Sequence, residues 1–309
     1  MNKESTIYVA GHTGLLGSAI VRRLKQDGYD NLILRTHRQM DLTDQFEVNR
    51  FFRREHPEYV FLCAALVGGI HANACGQADF LYQNLQIQNN IIWSAFKNDA
   101  ERLLFIGSSC IYPQKCEQPM KEEYLMQGPP EPLNEGYAMA KISGLLLCKY
   151  IYRQYGSGFI SCMLPNIYGP NDNFDQKYAH VISGLIVRMH EAKEKKERSF
   201  VVWGTGNVKR EFIYSDDAAA AAIWMMKNYF NHRFMNVGTG KEYTIKQVVE
   251  IVARNVGYNG AIVYDHNKPD GAVRKLLDGS MMVSTGWLPK VDLEQGIALT
   301  YSWYQKHVL

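Results

Sequence analysis

Proline is scarce in this 309-residue chain, at ten, and no stretch approaches the roughly 18 apolar residues that a membrane-spanning helix needs. The longest apolar runs are strand-length, such as YVFLCAALV from Tyr59, so no membrane association is expected. The six cysteines (Cys63, Cys75, Cys110, Cys116, Cys148, Cys162) include no CxxC pair, which removes the usual zinc and dithiol signatures; no metal is expected. An excess of one charge is also missing. Lys plus Arg number 34 against 31 for Asp plus Glu, and a net charge of +3 is no footprint for nucleic acid. It leaves room only for a local basic pocket of the kind that binds phosphates. Neither internal repeats nor low-complexity tracts occur, and 46% hydrophobic with 21% charged residues excludes disordered, collagen-like and coiled-coil chains. The opening MNKESTIYVAGHTG enters a strand with no apolar leader, so a cytoplasmic location with free thiols is expected.

What is present is alternation. TIYVA precedes a helical stretch from Leu15 to about Gln26, and NLILRT one around Gln45 to Arg54. YVFLCA is followed by a helix from about Phe80 to Lys97, and RLLFIGSS by one from about Gly136 to Gln154, before ISCMLPN. Strands alternating with helices of this length predict a parallel, doubly wound sheet joined by right-handed crossovers. After Asn166 the pattern turns irregular. A helix from about His180 to Lys195 follows, ending in the solvated charge run KEKKER, then FVVWG, an alanine-rich helix from Asp217 to Lys227, FMNVGTG, and helices from Ile245 to Asn255 and Leu293 to Lys306. The predicted fold class is α/β, a Rossmann-type doubly wound parallel sheet with a smaller α/β substrate-binding lobe. Residues 1–168 with about 212–240 are assigned to the cofactor domain, and 169–211 with 241–309 to the second lobe.

Such sheets bind ligands at the carboxyl ends of their strands, so chemistry is sought just after each strand. GHTGLLG follows the first one, with Gly11, Gly14 and Gly17 at the opening of a helix. Glycines allow the tight turn and the close approach of a pyrophosphate, and the helix start supplies free N–H groups. The second strand ends Leu34-Arg35-Thr36-His37-Arg38 where NAD sites carry an acid. Arginines there suit a 2′-phosphate, which favours NADP(H), with Asp41 an acceptor for the adenine amino group.

The fourth predicted strand delivers Ser108 and Ser109 to the same edge, and Tyr137 and Lys141 stand four apart on one face of the next long helix. A lysine beside a phenol is expected to lower its pKa from near 10, preparing an acid or base for a carbonyl.

On AGHTGLLGSAI, AALVGGIHAN, LLFIGSSCIYP, NEGYAMAKISG, NIYGPNDNF, HVISGLI, VVWGTGNVKREFIYSDD and KPDGAVRKLLD, the chain resembles the extended short-chain dehydrogenase/reductase superfamily. Within it the resemblance, over nearly the whole length, is to the GDP-L-fucose synthase family of 3,5-epimerase-4-reductases. It implies that Ser108 binds the oxygen at carbon 4, that Tyr137 donates the proton, and that Lys141 holds tyrosine and nicotinamide ribose. It also implies that Cys110 is the base and His180 the acid of epimerisation. The implied cofactor contacts are Gly11, Thr13, Gly14, Leu15, Leu16, Gly17, Arg35, Arg38, Asp41, Leu42, Ala64, Ala65, Tyr137, Lys141 and His180. Asn166, Arg188, Trp203, Arg210, Asp270 and Lys275 would meet the GDP-sugar, with Trp203 equally readable as core. A homodimer through the two long helices is implied by resemblance alone.

Sister reactions separate on these residues. Dehydratases carry an Asp-Glu pair where this chain has Ser109 and Cys110, and a 4-epimerase needs tightly held NAD+, against which Arg35 speaks. Thr13 replaces an arginine of many relatives, and Gln176-Lys177-Tyr178 differ where the sugar ring should sit. The alternatives kept are therefore a 4-keto reductase of a related GDP-sugar such as a GDP-heptose, without epimerase activity, and an NADP(H)-binding regulatory protein.

Overall fold

The computed structural model describes residues 1–175, 178–268 and 270–309; Gln176 and Lys177, singled out above, lie outside them. The first half runs β1 (Ile7–Ala10), α1 (Leu15–Gln26), β2 (Leu32–Ile33), α2 (Gln45–Glu55), β3 (Tyr59–Leu62), α3 (Ile70–Cys75), α4 (Gln77–Lys97), β4 (Arg102–Ser108), α5 (Glu135–Tyr155) and β5 (Gly158–Leu164). The second runs β6 (Asn166–Tyr168), α6 (Val181–Glu194), β7 (Ser199–Trp203), β8 (Lys209–Tyr214), α7 (Ser215–Asn228), β9 (Met235–Asn236), β10 (Glu242–Thr244), α8 (Ile245–Val256), β11 (Ala261–Asp265), β12 (Arg274–Lys275), α9 (Ser280–Val283) and α10 (Leu293–His307).

The main sheet has the order β2-β1-β3-β4-β5-β9, every pair parallel. The chain leaves β1 toward β2 on one side and returns to β3 on the other, so the strand order reverses between β1 and β3. A crevice opens there at the carboxyl ends. Both sheet faces are covered. Ile7, Val9, Phe61 and Leu104 point into one core with the alanines of α7, while Tyr8, Ala10, Leu62 and Phe105 point into another with Phe51, Ile91 and Leu145. Successive residues facing opposite cores is the period of two that a strand imposes, and burial on both faces is why these strands read as unbroken apolar runs.

Gly144 sets the position of α5. A Cβ there would stand 2.6 Å from the Phe105 ring and 2.9 Å from the Gln88 amide carbon, so only glycine lets the helix settle this close to β4. That approach brings the start of α5, with Tyr137 and Lys141, over the end of β4.

The second lobe has its own core, with Ile186, Phe200, Phe212, Val252 and Ile297 buried together. β10, β8, β12 and β6 form one small sheet, and β7 pairs with β11. β8, β10, β11 and β12 were not anticipated as strands. KREFIY carries charges at its open end, and RK is two residues long, so neither shows a usable alternation. The second strand is also shorter than NLILRT suggested: only Leu32–Ile33 pair, before the chain turns at Thr36 to Gln39.

Candidate active site

The glycine loop follows from β1 directly. Gly11 has φ of +80°, and a Cβ would lie 2.8 Å from the Ala64 backbone at the end of β3. A Cβ on Gly17 would run into the Gly11 carbonyl oxygen. The turn therefore requires both glycines for packing alone, and its compactness brings the α1 N-terminus to the sheet edge. That terminus has no side-chain cap and no acid in its first turn, leaving its N–H groups available to an anion. Thr13 and Gly14 are exposed there, and Leu16 is buried beneath. A pyrophosphate fits this cradle, so a dinucleotide fits the crevice. Gly17→Ala is expected to weaken NADPH binding at least about tenfold, since overpacking of roughly 1–3 kcal/mol falls on the loop itself; fluorescence titration of the folded variant measures it.

At the end of β2, Arg35 is already engaged. Its guanidinium pairs with Glu55 at 2.9 Å and donates to the Leu34 carbonyl at 3.0 Å, while Arg38 is exposed. A 2′-phosphate at this edge would have to share Arg35 with Glu55. Asp41 is folded into its own turn. One oxygen accepts from the Thr43 amide at 2.9 Å and hydroxyl at 2.8 Å, bonds that hold its carboxyl below the usual range. Leu42, Ala64 and Ala65 are half-buried along the same edge.

Ser108 ends β4 and starts a single tight turn, Ser109–Ile111, with its Oγ accepting from the Cys110 amide at 3.4 Å. Cys110 is buried, and burial pushes its thiol up. The hydrogen bond to Ser108 and the cations Lys275 and Lys141 pull it back. Lys141 donates to the Ile106 carbonyl at 3.0 Å, and its ammonium lies 5.7 Å from the centre of the Tyr137 ring. Burial pushes Lys141 down to about 8. Tyr137 departs from the sequence expectation: its phenol is pushed up, by burial first and then by the nearby Cys110. Desolvation of the phenol is the largest effect, and the ammonium of Lys141 does not offset it. The structure thus joins Ser108, Cys110, Tyr137 and Lys141 at one strand end.

His180 arrives on a different element, as the residue preceding α6, and its ring does not cap the helix. It turns to Asp172, with Nδ1 3.3 Å from Oδ1. Burial alone would lower the imidazole, but the bond and charge of Asp172 outweigh it and raise the pKa above the ordinary value. The loop is carried to the β3 end, where a Cβ on Gly69 would stand 3.2 Å from the Ala179 carbonyl.

The small sheet places two cations side by side. Lys275 of β12 is in register with Arg210 of β8, and burial lowers the pKa of both. Lys275 also feels Cys110, Arg210 and the carboxylate of Glu131, so this basic pair adjoins the strand-end cluster. Trp203 is 60% exposed with Lys268 over its ring at 5.4 Å, which settles it as surface rather than core. Asn166 donates to the Glu211 carbonyl at 2.9 Å from an exposed position. Arg188 and Asp270, also predicted to meet the substrate, are likewise engaged within the protein. Arg188 donates to the Val201 carbonyl and lies over Phe200. Asp270 accepts from the Thr205 amide at 2.7 Å and its hydroxyl at 2.9 Å, using both oxygens to hold the Gly204–Gly206 turn.

Sequence reasoning missed Asp172 and Glu131. Glu131 precedes α5 and has a buried Oε2 without a hydrogen-bond partner among the described residues. The only signal for Asp172 was its place in the turn-rich YGPNDNF. No group of acidic, His and Cys side chains among the described residues is arranged to hold a metal, and no helix there is long and apolar enough to cross a membrane.

Residues 7–238 match the NAD dependent epimerase/dehydratase family. The chain is 49% identical over 309 residues to a putative GDP-L-fucose synthase 2 of Arabidopsis thaliana, covering 100% of this chain and 94% of that one. It is 46% identical to the GDP-L-fucose synthase of Escherichia coli (strain K12), covering 98% and 97%. Among solved structures it is similar to a GDP-mannoheptose C4 reductase from Campylobacter jejuni with NADP bound, with 40% identity, a TM-score of 0.90 and 99% of each chain covered.

Proposed function

The chain belongs to the NAD dependent epimerase/dehydratase family and within it to the GDP-L-fucose synthases, and on that premise we propose that it is an NADPH-dependent 3,5-epimerase/4-reductase of a GDP-4-keto-6-deoxy-hexose. The observation that carries this reading is the junction of Ser108, Cys110, Tyr137 and Lys141 at the end of β4, beside a glycine cradle built for a dinucleotide. A pure reductase needs the serine, tyrosine and lysine. The thiol among them and the raised imidazole of His180 supply a base and an acid, which is what inversion at two carbons beside a ketone requires.

In the proposed sequence the 4-keto group acidifies carbons 3 and 5. Cys110, as the thiolate, takes a proton from one carbon and His180, as the imidazolium, gives one to its opposite side, through an enolate whose oxygen is held by Ser108 and Tyr137. The thiol then loses a proton to water and the imidazole regains one from it before the second carbon is inverted. Tyr137, kept protonated by burial, then gives its proton to the carbon 4 oxygen, and Lys141 orders the phenol and ribose. The bound cofactor supplies hydride to carbon 4. Arg210 and Lys275, adjacent on β8 and β12, face the GDP pyrophosphate, and Trp203 offers an exposed ring to the nucleotide. The Rossmann-type sheet is the cofactor domain and the lobe built on β7, β8 and β10–β12 the nucleotide-sugar domain, in a cytoplasmic homodimer packed through α4 and α5. Exposed Tyr82, Trp93, Met139 and Tyr150 on those helices are consistent with that packing.

The heptose-specific reductase remains the second reading, favoured by the likeness to the NADP-bound C4 reductase. A competition between GDP-4-keto-6-deoxymannose and its heptose counterpart, each with NADPH, separates the two. The proposal expects kcat/KM for the deoxyhexose to be higher by at least about tenfold, a difference of about 1.4 kcal/mol; preference for the heptose would overturn it.

A further inference from the structure

We propose that Asp172 is the positioning residue that makes His180 an acid: it fixes the proton on Nδ1, leaves Nε2 to face the sugar, and keeps the ring cationic. This rests on the proposed epimerase chemistry but concerns a residue that the chemistry does not itself name.

Asp172 is buried, 8% exposed, and a carboxylate can only accept. With Oδ1 at 3.3 Å from Nδ1, that nitrogen carries the proton and Nε2 is the remaining donor or acceptor. Oδ1 accepts one other bond, from the Asn173 amide at 2.8 Å, while Oδ2 is buried with no hydrogen-bond partner among the described residues. A buried carboxylate with a free oxygen is costly unless a charge lies beside it, and the charge available is the imidazolium. Asp172 and a protonated His180 therefore stabilise each other.

The loop is built to hold this pair still. Asn171 adopts φ of +62° and donates to the Ser18 hydroxyl on α1 at 3.1 Å, so the loop is pinned to the glycine-loop helix. Phe174 stacks on Trp303 with ring centres 5.8 Å apart and packs against Tyr304 at 5.0 Å, which pins it to α10. The Tyr178 and Ala179 amides donate to the Asp175 carbonyl at 3.1 and 2.8 Å, closing the turn into His180. Among the described residues the other titratable groups on the loop are Asp175 and Tyr178, and Asp172 is the one whose carboxylate lies 3.3 Å from Nδ1. Because one anchor lies on the cofactor helix and the other in the sugar lobe, the dyad is placed relative to both ligands at once.

The test uses the NADP+-loaded full-length protein. The His180 imidazole is titrated by NMR in wild type and in Asp172→Asn, with Asp172→Glu as the charge-retaining control. The expected results are a lower midpoint in Asp172→Asn and partial recovery in Asp172→Glu. With GDP-4-keto-6-deoxymannose and NADPH in deuterated water, Asp172→Asn should lose about 10²-fold in deuterium incorporation at carbons 3 and 5. NADPH oxidation should persist and yield the unepimerised alcohol. The alkaline limb should also move: epimerisation needs the imidazolium, so in the variant it fails at lower pH as pH rises. An unchanged midpoint, or equal loss of epimerisation and reduction with an unmoved pH profile, would overturn the proposal and leave Asp172 a loop strut. If wild type shows no exchange with this sugar, the epimerase reading fails while the NMR midpoint still decides the dyad.

Discussion

Replacing Tyr137 by Phe abolishes sugar-dependent NADPH oxidation, by about 10³-fold, while deuterium exchange at carbons 3 and 5 continues. The phenol stands at the end of β4, where burial keeps it protonated, and it is the group proposed to protonate the carbon 4 oxygen. Losing a general acid costs typically 10²–10⁴-fold, and Phe keeps the ring packing against Phe80, whose centre lies 6.4 Å away. Exchange is slowed by the loss of one donor to the enolate oxygen but persists, because Ser108 still holds that oxygen and the proton transfers at carbon use Cys110 and His180. Lys141 adds a pH dependence with a definite sign. Its folded pKa of about 8 lies below the ordinary lysine value, so the ammonium is present below about pH 8 and is lost as pH rises through it. Reduction is expected to decline above that point in wild type, when followed by the absorbance of the reduced nicotinamide at saturating sugar. A reduction rate flat across that range would separate Lys141 from the chemistry.

Cys110→Ser is the second large effect, in the opposite compartment of the mechanism. Deuterium incorporation should fall by about 10²–10³-fold, with reduction retained and the unepimerised alcohol as product. The thiol, although raised by burial, is drawn back by Ser108, Lys275 and Lys141; a serine hydroxyl is a far weaker acid, so the same cations cannot make it a base. The two side chains are nearly isosteric in a site that is only 5% exposed, so a fold defect is not the expected cause of the loss. Product NMR distinguishes the outcomes, and unchanged exchange would remove Cys110 from the mechanism.

Much of this site was readable because strand ends of a parallel sheet are adjacent whatever their separation in sequence. GHTGLLG and Ser108 each follow a buried apolar run, an unbroken run marks a strand covered on both faces, and the Tyr137–Lys141 pair is legible from its four-residue spacing on the next long helix. What the sequence could not show is the ionisation. Four-residue spacing put Lys141 on the same face as Tyr137, but the desolvation produced by α5 lying against β4 outweighs the nearby ammonium and raises the phenol. Asp172 escaped for a related reason: its role depends on a turn that returns the chain upon itself over eight residues, and turn-rich sequence carries no period. Arg188 and Asp270 show a further limit: resemblance assigns them to the ligand, while Arg188 also reaches back to β7 and Asp270 also holds the 204–206 turn, contacts between segments far apart in sequence that no local pattern displays.

The central claim is that one site first exchanges protons at two carbons and then reduces the carbon between them. Mass spectrometry and NMR of the product formed from GDP-4-keto-6-deoxymannose and NADPH in deuterated water test it in one experiment. The account predicts deuterium at both carbon 3 and carbon 5, both centres inverted, with carbon 4 carrying hydrogen from the cofactor. A reduced product that carries no deuterium at carbons 3 and 5 would contradict it.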